Sequence, residues 1–255
     1  LDYEPEDEPG SNLGLGPLFD PIQGLRRHAV QQTSLTVGGQ LAQTVLQVGS
    51  TMVLARILAP SDFGLIAMVA VVIAFATLVR DLGLTQAMVR TDDLDQSQAT
   101  GLFWASTAGT AVLSAATVLA APLIAWFYGE PALVGITIAL AGVFLVSGLG
   151  VIPQGILARQ MSFSRVVSAE VAGSVAGVIT AIAVAVVGGG YWALVSLYGA
   201  RAIVSTSILW FACRWRPGRP SRSSGIGHLL RFGWNVTRFN GLTFLSRNTD
   251  DVLVG

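Results

Sequence analysis

The sequence contains no lysine, one cysteine and two histidines. Each scarcity excludes something. Cys213 alone cannot close an internal disulfide, and His28 and His228 stand too far apart in the chain to suggest a metal-ligand spacing. The 15 basic residues are all arginine and are balanced by 15 acidic ones, so no basic footprint argues for nucleic acid. Charge is scarce altogether, at 12% of residues, where a soluble domain carries about 25%. No glycine-rich motif reads as a nucleotide or cofactor site. Gly188-Gly189-Gly190 reads as a turn, and no cofactor is expected. No basic region followed by a short apolar core precedes the first long apolar run, so no cleavable signal peptide is expected.

What fills the sequence is long uncharged text, and 52% of residues are hydrophobic. Uncharged runs of about 18 residues or more read as membrane spans. The runs predict six of them: Thr33–Leu58, Phe63–Val89, Thr100–Trp126, Ala132–Ile152, Val166–Val187 and Tyr191–Cys213. Breakers stand between them at Pro60-Ser61-Asp62, Gly129-Glu130-Pro131 and Gly188-Gly189-Gly190. Hydrophobicity is near-uniform around each span, which excludes the one-sided stripe of a soluble helix. The strands of a membrane barrel would be shorter and alternating. The fold class expected is therefore all-α and integral to a membrane.

Arginine placement gives the orientation. Arg26, Arg27, Arg90, Arg159, Arg165, Arg214, Arg216, Arg219 and Arg222 fall on one side, and Arg56 alone on the other. The positive-inside rule then puts the N-terminus in the cytoplasm. Trp126, Phe127, Tyr128, Tyr191 and Trp192 fall at the opposite interface and read as an aromatic belt. In the fifth span, Gly173 and Gly177 lie four apart among small residues, a signal for close helix packing.

Three regions follow. Residues 1–24 form an acidic tail, expected to be disordered, with Asp2, Glu4, Glu6, Asp7 and Glu8 at its start. Residues 25–225 form the six-span lobe. Residues 226–255 open a more polar seventh span that ends inside apolar text, which reads as part of a longer membrane protein.

Several phrases carry a resemblance. They are Leu54-Ala55-Arg56-Ile57-Leu58-Ala59-Pro60-Ser61-Asp62-Phe63-Gly64, Arg80-Asp81-Leu82-Gly83-Leu84, and Ala121-Pro122-Leu123-Ile124-Ala125-Trp126-Phe127-Tyr128-Gly129-Glu130-Pro131. Further along come Ile152-Pro153-Gln154-Gly155-Ile156-Leu157-Ala158-Arg159, Met161-Ser162-Phe163, Arg231-Phe232-Gly233 and Leu245-Ser246-Arg247-Asn248-Thr249-Asp250-Asp251. In this order and spacing the chain resembles the Wzx-like polysaccharide-transporter (lipopolysaccharide flippase) branch of the multidrug/oligosaccharidyl-lipid/polysaccharide exporter superfamily. The resemblance covers about residues 25–255. It implies two lobes of about six helices, of which this chain supplies the first and the opening of the second. It also implies a bacterial inner-membrane location, alternating access, and a lipid-linked oligosaccharide substrate moved from the cytoplasmic to the periplasmic leaflet. Partners implied are membrane lipid, a polysaccharide polymerase, glycosyltransferases, and a second lobe or second copy.

Such a substrate pairs an anionic diphosphate with a polar sugar. It needs a shielded path with cations for phosphate and amides or hydroxyls for sugar. Charges inside spans cost about 2.5–3.5 kcal/mol on insertion scales and are functional suspects. Arg80 and Asp81 in the second span are candidates, with an interfacial snorkelling pair as the plain alternative. Arg201 is the most deeply placed charge, either a cavity cation or a structural partner of Glu170 or Asp81. Glu170 is the candidate ion-coupling acid. In the seventh stretch, Asn240, Arg247, Asn248, Asp250 and Asp251 share a broad helical arc and are cavity candidates. No metal-binding residues are expected.

Other readings stay open. A membrane glycosyltransferase or polymerase would need a catalytic acid cluster, and Asp92, Asp93 and Asp95 in a short loop are the one candidate between spans. A drug or cation antiporter of the same superfamily is another. An inactive truncated lobe is the last.

Overall fold

The structure is a computed structural model that describes residues 16–69, 96–160 and 162–218, with side chains described from Val37 onward. Every regular element among the described residues is helical. In chain order they are α1 (Gly16–Ile57), α2 (Pro60–Val69), α3 (Gln96–Tyr128), α4 (Ala132–Gly148), α5 (Val151–Arg159), α6 (Phe163–Val186) and α7 (Trp192–Ala212).

Four helical stretches are long and apolar enough to cross a membrane: Gln96–Tyr128, Ala132–Arg159, Phe163–Val186 and Trp192–Ala212. They match four of the expected spans and make this a multi-pass membrane protein. The first expected span is helical but falls outside that set, because Gln40, Gln43, Gln47 and Arg56 dilute its apolar text. The second is described only through α2. The long helix α1 also starts at Gly16, inside the stretch read as a disordered tail.

Local chemistry explains where helices start and turn. At the first hairpin, Ala59 precedes Pro60 at the first helical position of α2, where a missing N–H costs nothing. Asp62, two residues further, reaches back to accept the Ala59 N–H at 3.2 Å, half of a capping box. Between α6 and α7, Gly188 and Gly190 take positive φ values of 85° and 51°, which a side chain resists.

Neighbouring helices pack as antiparallel pairs. The closest is α6 on α7, as the paired small residues foretold. A Cβ on Gly177 would meet the Leu197 carbonyl at 2.6 Å, and one on Gly173 would meet the Arg201 carbonyl at 2.8 Å. Only glycine lets the backbones approach so far. α1 also packs on α6, and its inward face runs through Gln43, Leu46, Ser50 and Leu54. Its opposite face, Val37, Leu41, Val45, Val48 and Met52, is exposed and apolar, as a lipid-facing surface must be.

Three apolar clusters result. One joins Leu54, Leu58, Ile66, Leu133, Ile136, Ala185 and Leu194 at one end of the bundle. Smaller clusters around Phe103 and Ile152, and around Leu157 and Leu209, fill the other end. The described arginines other than Arg201, which lies midway along α7, sort to the two ends. Arg159, Arg165, Arg214 and Arg216 lie on elements at the Leu157 end, and Arg56 lies at the far end beside Leu54. Trp126 and Phe127, 79% and 74% exposed, stand at that far end as the belt reading expected.

The fourth expected span runs further than its sequence reading. Its expected end is Ile152, and the next residue is Pro153, a residue type that breaks a lone helix. Helix instead resumes at Val151 and continues to Arg159. Pro153 has no N–H for the carbonyl four residues back, Leu149. The indole Nε1 of Trp210 supplies the donor at 3.1 Å. Thr206 Oγ1 likewise donates to the Val146 carbonyl at 3.3 Å. α7 thus satisfies the backbone that the break sets free, which permits a discontinuous helix at membrane depth.

Candidate functional site

The break in the fourth span opens beside a polar cluster. Glu170 lies on α6 about two turns from its start, within otherwise apolar text. Gln154 follows Pro153 on α5, Gln43 comes from α1, and Arg201 lies midway along α7. All four side chains are half-buried.

Their hydrogen bonds form a chain. Gln154 Nε2 donates to Glu170 Oε1 at 3.2 Å. Gln43 Nε2 donates to Glu170 Oε2 at 2.9 Å. Arg201 Nη2 donates to Gln43 Oε1 at 3.3 Å. Each carboxylate oxygen therefore faces an amide N–H, and a single amide joins the acid to the guanidinium. The sequence offered Arg201 two partners, of which Glu170 is described; it is joined to Arg201 through Gln43 and not by a direct ion pair. Hydrogen bonding of this kind lowers the cost of holding charged groups away from water.

Glu170, Gln154 and Arg201 line a cavity of about 320 Å³. Ser147, Ser205, Thr206 and Tyr198 add hydroxyls to its wall, while Leu140, Phe144 and Leu209 are apolar. Helical spacing explains the convergence. Leu140, Val143, Phe144 and Ser147 repeat at three and four residues on α4, as do Tyr198, Arg201, Ser205 and Leu209 on α7. Apolar cores lie on either side of this layer, so the polar groups are confined to one depth of the bundle. A cavity carrying one guanidinium, one carboxylate, amides and hydroxyls can bind anionic and polyhydroxylic groups.

A second constellation holds the end of α7. Arg216 Nη1 donates to the carbonyls of Trp210, Cys213 and Trp215 at 3.0–3.1 Å, closing the helix terminus. Trp215 Nε1 donates to Gln96 Oε1 at 2.7 Å, and Gln96 Nε2 donates to the Arg216 carbonyl at 3.0 Å. Phe103 sits edge-on to Trp104, Trp210 and Trp215. The segment after α7 is thereby fastened to the start of α3.

Of the residues singled out in the sequence, Arg201 and Glu170 are described and share one network. Arg80, Asp81, Asn240, Arg247, Asn248, Asp250 and Asp251 lie outside the described residues, as do Asp92, Asp93 and Asp95. Among the described residues no group of three or more His, Cys, Asp or Glu could hold a metal ion. Gln43 and Gln154 were not among the residues singled out in the sequence, where Asn240 and Asn248 were the amides weighed. The signal for Gln43 was present, a glutamine inside an expected span, whereas Gln154 stands just past the expected end of the fourth span, Ile152.

A family model described as polysaccharide biosynthesis protein matches residues 53–255. The chain belongs to that family. It is 26% identical over 202 residues to the succinoglycan biosynthesis transport protein ExoT of Rhizobium meliloti (strain 1021), covering 79% of this chain and 41% of the relative. It is 24% identical over 208 residues to the lipopolysaccharide biosynthesis protein WzxC of Escherichia coli (strain K12), covering 79% and 42%. Against the teichuronic acid biosynthesis protein TuaB of Bacillus subtilis (strain 168) it is 26% identical over 187 residues, covering 71% and 38%. The chain thus spans about two-fifths of the length of the curated relatives it matches. No solved structure matches it. Family membership agrees with the resemblance drawn from the hairpin and span-end phrases, and ExoT, by its name, is a transport protein.

Proposed function

We propose that this chain is part of a flippase that moves a lipid-linked oligosaccharide across the bacterial inner membrane, from the cytoplasmic to the periplasmic leaflet. The observation that carries the reading is Arg201 lining a polar cavity inside apolar helices of a polysaccharide biosynthesis family member. In this account Arg201 holds the diphosphate, because a guanidinium offers forked, charge-assisted hydrogen bonds to phosphate oxygens. Glu170 is the ion-coupling acid. Arg80, Asp81, Asn240, Arg247, Asn248, Asp250 and Asp251 would extend the polar path.

Six spans form the first lobe, with the N-terminus in the cytoplasm, and the seventh opens a second lobe. The grouping of Arg159, Arg165, Arg214 and Arg216 at one end supports that orientation. The facing wall comes from a second lobe or a second copy, and the two alternate in opening to either side. Glycosyltransferases supply the substrate and a polymerase consumes it.

Deleting the gene tests this reading. Lipid-linked oligosaccharide should accumulate, inaccessible from the periplasmic face, while surface polysaccharide is lost. Loss of polysaccharide with no build-up of complete repeat units would overturn it in favour of a sugar transferase.

A further inference from the structure

Gln43 is joined to two charged groups in opposite senses. Its N–H faces a carboxylate oxygen and its carbonyl faces a guanidinium. An amide cannot exchange its two ends without losing both partners. We infer that Gln43 is a positioning residue that withholds Arg201 from an anionic substrate while Glu170 is charged, and releases it when Glu170 is neutral. The inference rests on the proposed roles of Arg201 and Glu170.

The switch follows from donor and acceptor counts. An ionised carboxylate only accepts, so it fixes the amide with its N–H inward and its oxygen toward Arg201. A proton delivered by hydronium from the aqueous phase, with water released, turns Glu170 Oε2 into a donor. The Oε2–H then donates to Gln43 Oε1, and the amide turns over. Its NH₂ group now faces the guanidinium, donor against donor, and Arg201 is free to turn to phosphate oxygens in the cavity.

The same geometry argues against a metal cation at Glu170. Such a cation needs several oxygen ligands. Here Gln43 and Gln154 both present hydrogens to the carboxylate, and the oxygen of Gln43 is taken by Arg201. Two charged or titratable groups line the cavity beside Glu170 among the described residues, Arg201 and Tyr198, and neither is an acid.

Farnesyl diphosphate, a short isoprenoid diphosphate, serves as the probe, with the full chain in lipid nanodiscs and affinity read by calorimetry. Glu170→Gln imitates the neutral acid and should bind the probe about tenfold more tightly than wild type. Placed in a Gln43→Met background, the same change should alter affinity by no more than about threefold, the remainder of through-space attraction. Gln43→Leu gives the same comparison should the Met variant fold poorly. In Gln43→Glu with Glu170→Gln, Arg201 gains a direct carboxylate partner, and binding should fall below wild type. That reversal of sign is not the result of merely loosened packing. Replacing choline by sodium at constant ionic strength should change nothing.

A full tenfold gain from Glu170→Gln in the Gln43→Met background overturns the inference. So does tight binding by the Gln43→Glu, Glu170→Gln pair, or a gain on adding sodium. If Arg201→Gln binds the probe as wild type does in every background, the assignment of Arg201 to diphosphate has failed instead.

Discussion

The indole of Trp210 donates to the Leu149 carbonyl at 3.1 Å, in the place of the N–H that Pro153 lacks. One helix thereby repairs the backbone of another at the depth where the polar cavity lies. Trp210→Phe keeps the ring and removes the donor. It should destabilise the protein by about 1–3 kcal/mol, the cost of leaving a partly buried carbonyl unsatisfied. The same change in a Pro153→Ala background should cost much less, because the backbone N–H regained at that position can serve Leu149. Unfolding in detergent, measured on all four proteins, checks this. Equal costs in the two backgrounds would break the link.

The contact between α6 and α7 turns on glycine. Gly177→Val places its Cβ about 2.6 Å from the Leu197 carbonyl and forces the helices apart. Overpacking of this kind costs about 1–3 kcal/mol. Gly199→Ala is the control, since its Cβ would meet Val143 at an ordinary 3.9 Å. The melting temperature of the first should fall and that of the second should hold. Because α6 carries Glu170 and α7 carries Arg201, the Gly177 variant should also weaken binding at the cavity.

Asp62 holds the first hairpin through the Ala59 N–H and lies close to Gly190 in the turn between α6 and α7. Asp62→Ala should cost about 1 kcal/mol, as loss of a cap does. Asp62→Asn keeps an acceptor and should recover most of it. Hydrogen exchange at the Ala59 amide reports the change directly, and unaltered protection in the Ala variant would refute it.

Much of the fold was legible because membrane helices announce themselves by uniform apolar text. The third, fifth and sixth spans begin and end within a few residues of their expected limits. The fourth did not, since Pro153 signals a stop in a lone helix and only Trp210, some 60 residues on, removes the penalty. The first span is less plain in the text. Its glutamines lower its apolar content, and one of them, Gln43, proves to face the site. Charge alone pointed to Arg201 and Glu170. Their pairing was one of the alternatives the sequence offered, but its mediation by an uncharged residue on a distant helix, Gln43, could not be read there. The tryptophans at and just beyond the end of α7 drew no reading in the sequence, and in the fold Trp215 fastens the segment after α7 to α3.

The account stands on Arg201 as the cation that holds a lipid-linked anion on its way through the membrane. The direct measurement is the fraction of lipid-linked oligosaccharide reaching the periplasmic leaflet in cells that carry only Arg201→Gln, at membrane protein levels equal to wild type. The account expects export to fall at least about tenfold, with substrate accumulating on the cytoplasmic side, and Arg201→Lys to restore part of it as a point charge without the fork. Export at the wild-type rate by Arg201→Gln would contradict it.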